Sequence, residues 1–342
     1  MALAQIIRRL DLERNQKAVT TAHLRLPASW PVVFLLLAFC VFLGIGSLRS
    51  SQFAQQTVSG LATGSTFGLL ALALVLIYRA TEVVNLAQGQ MAMFSAYIAW
   101  QLIHWGLPWW PAAILTLLIS FVGGVGIERL IIRPVEGHSL VTVVIVTIGL
   151  FLVLDGAATW IWSGIVRYVP SGFSTRPVRF GGVALSIQDL CTLGVSIGVV
   201  LVLWLFFQYT KVGLAMRAAA LRPASARLVG VRVGWMLALG WGLAAVLGAI
   251  AGLMIVPVTG LQPSTFQPLL LYAFAAAVLG GLESPAGAVV GGLALGAMLN
   301  LIGTYWSFVG SILRLPVALA VLLAVLLIRP AGLFGRGTVR KV

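Results

Sequence analysis

The sequence predicts an all-α polytopic membrane protein. It has about ten transmembrane helices (eight if residues 269–303 form a re-entrant hairpin), two weakly repeated halves and both termini in the cytoplasm. Three observations predict it. Of the 342 residues, 60% are hydrophobic and 9% are charged, whereas a soluble chain carries roughly 45–50% apolar and about 25% charged residues. The mean hydropathy of +1.06 requires that most of the chain have hydrocarbon as its solvent. The third is periodic interruption: apolar runs close to the roughly 20 residues that a bilayer-spanning helix needs alternate with short polar breaks.

The elements follow in order. Residues 1–29 form a basic N-terminal segment carrying Arg8, Arg9, Arg14, Lys17 and Arg25. It is too long and too charged for the n-region of a cleavable signal peptide, and Phe39 before Cys40 spoils a lipoprotein box. Apolar runs then occupy about 31–47, 58–78, 83–103, 109–127, 140–162, 189–209 and 235–257, with shorter ones at 269–282 and 286–303 and a last one at 313–328. Residues 30–328 therefore make one membrane domain, and 329–342 a basic tail. The even span count puts both termini on one side.

A net charge of +14 would suggest nucleic acid as partner in a soluble chain, but here the basic residues flank apolar runs, and the preference of cytoplasmic loops for Lys and Arg explains them. With the termini inside, 17 basic residues fall on the inner side, including Arg79, Arg129, Arg133, Lys211 to Arg232 and Arg329. Five fall outside: Arg49, Arg167, Arg176, Arg179 and Arg314. Trp30, Trp105, Trp109, Trp110, Trp160, Trp162 and Trp306 lie near predicted span ends, where interfacial tryptophans anchor helices.

Several chemistries are missing. His23, His104 and His138 all fall in loops or tails, which leaves no intramembrane histidine for a serine-histidine dyad or a proton relay. None of the three lysines follows a GxxxxG run, so no phosphate-cradling loop is present. Cys40 and Cys191 form no disulfide framework or zinc site, and no metal site is read.

Two interruptions, Asn85-Leu86-Ala87-Gln88-Gly89 and Glu283-Ser284-Pro285-Ala286-Gly287, put Gly89 and Gly287 at corresponding places in the two halves. Paired breaks of this kind point to a central pathway in transporters; tight interhelical turns use the same residues. Asp155 is the one acid well inside a span, where a charge is costly and by default faces a cavity or a partner. Glu283 sits in the second break. The path candidates are therefore Asn85, Gln88, Gly89, Thr147, Asp155, Glu283 and Gly287. Thr63, Ser65, Thr66 and Thr142 belong with Thr147 as hydroxyls that either line a route or bond back to their own helix. Glycines at four-residue spacing, Gly248 to Gly252, Gly287 to Gly291 and Gly292 to Gly296, let helix backbones approach closely, within the chain before between subunits.

The inner loop from Lys211 to Arg232 has five basic residues and no acid. Lys211 to Ala220 and, after the helix-starting Pro223, Ala224 to Val229 each suit a short amphipathic helix that Gly230 stops. It is either an ordinary positive-inside loop or a helix that docks onto a cytoplasmic partner.

From this loop outward, the chain resembles the permease subunit of branched-chain amino acid ATP-binding-cassette importers, the LivH type, from about Gly60 to Gly335. The resemblance is carried by Gly60 to Tyr78 with Asn85 to Gly89; by Glu128-Arg129-Leu130, Arg133-Pro134 and Thr147-Ile148-Gly149; by Gly213 to Gly230; by Ala276 to Gly281 through Pro285 and Gly287 to Gly291-Gly292; and by Arg329 to Gly335. It implies a multi-pass protein of the bacterial-type plasma (inner) membrane that moves branched-chain or other small amino acids, urea or short amides. It implies a second, homologous permease, two cytoplasmic ATPase subunits that use ATP, and an extracytoplasmic solute-binding protein. This chain then binds no cofactor and is no enzyme. Gly213, Arg217, Ala219, Ala220, Pro223, Ala226 and Gly230 become the ATPase-coupling loop, with the alanine face seated in the partner. Similar permeases tend to have a histidine where Gln88 stands. The competing reading is a stand-alone secondary transporter or channel for a small polar solute, coupled through Asp155 and Glu283.

Overall fold

The computed structural model of the chain describes residues 51–174, 176–180, 183–306, 313–329 and 332–335. The basic segment 1–29, the run at 31–47 with Cys40, and residues 336–342 of the tail lie outside the described residues. Among those described, eleven α-helices follow one another: α1 Ser51–Thr81, α2 Gln88–His104, α3 Trp109–Ile127, α4 Leu140–Trp162, α5 Ile187–Tyr209, α6 Lys211–Leu221, α7 Pro223–Leu228, α8 Val233–Thr259, α9 Pro263–Gly280, α10 Pro285–Tyr305 and α11 Arg314–Ile328. Seven helical stretches, including α1, α4, α5, α8, α9 and α10, are long and apolar enough to cross a membrane. The seventh, Trp109–Val135, continues α3 through a π turn at Glu128–Ile132 and a 3₁₀ turn at Arg133–Val135.

The described sequence runs match these helices with shifts at three starts, and α1, opening at Ser51, begins seven residues ahead of the run at 58. Helix α2 begins at Gln88 rather than 83 because the chain turns at Glu82, whose φ is +57°, and the Asn85 side chain then accepts from the Ala87 N–H at 3.0 Å. Helix α9 begins at Pro263, not 269, because proline is pre-set for the first helical position and the first turns carry polar Ser264, Thr265 and Gln267, which hydropathy passes over. At 18 and 21 residues, α9 and α10 are two separate helices, each of spanning length. The fold also departs from all-α: in the loop after α4, β1 (Pro177–Phe180) and β2 (Val183–Ser186) form an antiparallel hairpin that pairs Val178 with Leu185. Four-residue strands are too short for hydropathy periodicity to reveal.

Burial separates inner from outer helices. An apolar 18-residue stretch of α1 is 83% buried and that of α8 72%, against 11% for α5. Glycine explains the close packing of the centre. A Cβ on Gly64 would lie 2.6 Å from the Gly292 carbonyl oxygen, and one on Gly60 2.8 Å from the Ala297 Cα, so α1 and α10 touch backbone to backbone. Asn300 clamps the same pair by donating to the Gln56 carbonyl at 2.7 Å. Gly248 and Gly252 of α8 admit Ala92 of α2. The four-residue glycine spacings thus serve packing within the chain.

Candidate functional site

The two polar breaks occupy different depths. The first is interior. Asn85, Gln88 and Gln90 are fully buried; Asn85 donates to Gln88 at 3.3 Å, and Gln88 donates to the Ala244 carbonyl at 2.9 Å. Ala244 lies eleven residues into α8, about 16 Å along its axis at 1.5 Å per residue, so the non-helical stretch before α2 enters the protein at membrane depth. Such backbone is tolerated there only when it lines a cavity or is buried in protein, and here hydrogen bonds hold it within protein. Gly89 is needed for contact: its Cβ would meet the Leu270 Cβ at 3.0 Å.

The second break is the turn between α9 and α10. Glu283 is exposed there, Ser284 caps α10 by accepting from the Gly287 N–H at 3.0 Å, and Gly287 packs on the Gly280 backbone. Leu333 and Phe334 lie across the end of α9, donating to the Leu279 and Gly280 carbonyls at 2.8 and 3.0 Å. The paired interruptions therefore correspond as starts of α2 and α10, but not in depth.

Asp155 of α4 accepts a 2.6 Å hydrogen bond from Gln90. Thr147 is buried and bonds back to the Val144 carbonyl at 2.8 Å. A polar seam that the sequence reading did not assemble runs between α1 and α5. Ser65 donates to Ser196 at 3.0 Å, Ser59 hydrogen-bonds Asp189, and Thr192 is buried between them. Gln188, Thr192 and Ser196 recur every four residues, the signal that would have shown α5 to have a polar face.

The Lys211 to Arg232 loop forms two helices as expected. Thr210 caps α6 by accepting from the Gly213 N–H at 2.9 Å while donating to the Phe206 carbonyl at 2.6 Å, and Gly213 abuts the backbone of Phe206 and Phe207. The corner between α5 and α6 is therefore tight. Pro223 opens α7, and Gly230, at φ +83°, ends it. Part of the expected docking face is covered within this chain. Ala219 and Ala226 are buried against Val233 and Leu237 of this same chain, because small residues let α6 and α7 lie flat on α8, and Ala220 is half-buried. The outward crest is Leu214, Leu221, Leu228 and Val229, with Leu228 90% and Leu221 71% exposed, flanked by exposed Arg222 and Arg227. Arg217 is half-buried and donates to Gln208 at 3.2 Å. Nearby, Arg129 stacks on Trp235 at 3.5 Å.

Residues 56–329 match the family described as branched-chain amino acid transport system / permease component. The chain is 30% identical over 313 residues to the high-affinity branched-chain amino acid transport system permease protein BraD of Pseudomonas aeruginosa, covering 85% of this chain and 98% of that one. It is 30% identical over 305 residues to LivH of Escherichia coli, with the same coverage. It is also 30% identical over 287 residues to a probable LivH of Methanocaldococcus jannaschii, covering 78% of this chain and 88% of that protein.

Proposed function

The chain belongs to the branched-chain amino acid transport permease family, and from that premise we propose that it is the membrane path of an ATP-binding-cassette importer for branched-chain or other small amino acids. Its partners are a second homologous permease, two cytoplasmic ATPase subunits that consume the ATP, and an extracytoplasmic binding protein that delivers cargo. This chain holds no cofactor and catalyses no reaction of its own.

The observation that carries the reading is the α6–α7 pair. It presents an apolar crest between arginines on a rigid corner continuous with α5, which is the geometry of a helix that docks in a partner's groove. An ATPase that moves this crest moves α5, and with it the polar seam of Ser65, Asp189, Thr192 and Ser196 against α1. Asn85, Gln88, Gly89 and Thr147 support the path as a fixed scaffold, and Asp155 orients Gln90. Glu283 and Gly287 belong to the inner end of the path. In a ten-span topology with both termini cytoplasmic the crest lies on the ATPase side, in keeping with the 17-to-5 distribution of basic residues.

The test is reconstitution of this chain with its second permease and ATPase pair in proteoliposomes, with binding protein and labelled leucine outside the face opposite the ATPases. Uptake that requires ATP, binding protein and this chain together supports the reading. Uptake by this chain alone, driven by an ion gradient, overturns it.

A further inference from the structure

A cavity of about 360 Å³ lies beneath α6, bounded by α1, α5, α6, α8 and the start of α10. Its wall is apolar: Leu72 and Leu76 of α1, Val200, Leu203 and Phe207 of α5, and Met236 of α8. Trp204, 54% exposed, stands at its edge on a helix whose neighbouring Leu201, Val202 and Leu205 are exposed, so the cavity borders the face of α5 that a bilayer would cover. Two arginines reach the same space. Arg79, at the end of α1, and Arg217, on α6, both line it and lie close enough for their charges to repel. Glu283 offsets part of this charge from the α9–α10 turn, and Gln208 accepts one Arg217 bond, but the Arg217 Nε–H is buried without an acceptor. A buried donor without a partner is costly and rare, and an apolar chamber with convergent guanidinium groups calls for an occupant that is apolar at one end and anionic at the other.

We propose that this cavity is a binding site for an anionic phospholipid, one acyl chain filling the chamber between α1 and α5 and the phosphate accepting from Arg217 and Arg79. Charge complementarity selects the occupant. Arginine pairs with phosphate oxygens through several donors at once, and the apolar wall is formed mostly by residues of spanning helices, with α6 closing it on the side of Arg217. The site does not depend on α6 being a coupling helix. If it is one, the lipid is a wedge that sets its distance from α1.

The experiment is native mass spectrometry of the full chain purified in mild detergent and exchanged into mixed phosphatidylglycerol and phosphatidylcholine. The expected result is retention of one phosphatidylglycerol with a preference of about fivefold over phosphatidylcholine, the factor expected from one net basic side chain near an anionic headgroup. The double variant Arg79→Gln, Arg217→Gln should abolish the preference. Leu203→Trp, which fills the chamber while leaving the arginines in place, should expel the lipid from a chain that still elutes as a single species. Equal binding of the two lipids by the unaltered chain would overturn the proposal. So would undiminished phosphatidylglycerol binding in both variants, or cross-linking of Leu203→Cys to an ATPase subunit in the assembled complex, which would make the occupant a protein segment.

Discussion

Gln90 donates a 2.6 Å hydrogen bond to Asp155 across the α2–α4 interface. The one acid well inside a predicted span is thereby engaged with a fully buried amide rather than aimed at a second acid, and Glu283 lies exposed in the α9–α10 turn. An acceptor at position 155, not a charge, is what the geometry needs. Asp155→Asn, which keeps an acceptor oxygen, should leave uptake unchanged. Asp155→Leu leaves the Gln90 donor unpaired and should cost about 1–3 kcal/mol of stability. Uptake and thermal denaturation in detergent check both, and loss of uptake in Asp155→Asn at full stability would restore an ion-coupling role.

Orientation yields a second prediction. After removal of Cys40 and Cys191, Arg176→Cys, in the loop before β1, should react with an impermeant maleimide in intact cells, and Arg227→Cys of α7 only after permeabilisation. The reverse pattern would invert the topology and remove the crest from reach of any ATPase.

Glycine contacts yield a third. Gly64 faces the Gly292 backbone, whereas a Cβ at Gly149 of α4 would meet nothing within 4 Å. Gly64→Leu should collapse the yield of monodisperse protein, since overpacking costs about 1–3 kcal/mol even without a backbone clash, and Gly149→Leu should be tolerated. By the same reasoning, bulky substitution at Gly89 strikes Leu270 and lowers the yield of folded chain. Equal yields for Gly64→Leu and Gly149→Leu would show that the α1–α10 contact carries little.

The contrast between what could and could not be read has physical causes. Long apolar runs and charged punctuation record the membrane directly, which is why α3, α4 and α5 coincide with the runs at 109–127, 140–162 and 189–209 within two residues. Starts set by a single turn, such as Glu82 to Ala87 before α2, are carried by one dihedral and one side-chain bond, to which hydropathy is blind. The alanines of α6 and α7 were legible as a close-packing face, but composition does not say which neighbour that face meets. The polar positions of α5 were legible in principle through their four-residue spacing and were masked by the surrounding leucines and valines.

Docking provides the last prediction, and the burial of Ala219 and Ala226 redirects it. Tryptophan at Ala226 must displace Val233 or Leu237, so Ala226→Trp should damage this chain itself and says nothing about a partner. The informative positions are those that contact little of this chain, Leu221 and Leu228. If α6 and α7 seat in an ATPase groove, an aspartate at either position carries a charge into the apolar centre of that interface. A central contact of this kind is worth 2 kcal/mol or more, so affinity should fall about thirtyfold. Arg222 stands beside the crest, where charges govern encounter rate and salt dependence more than final affinity, so Arg222→Ala should bind nearly as well at low salt and be slower to assemble. The measurement is pull-down of the ATPase pair by solubilised permease across a salt series, paired with ATP turnover stimulated by loaded binding protein. Full binding and turnover in both Leu221→Asp and Leu228→Asp would reduce the helix pair to a basic anchor and move coupling to the Arg129 to His138 turn.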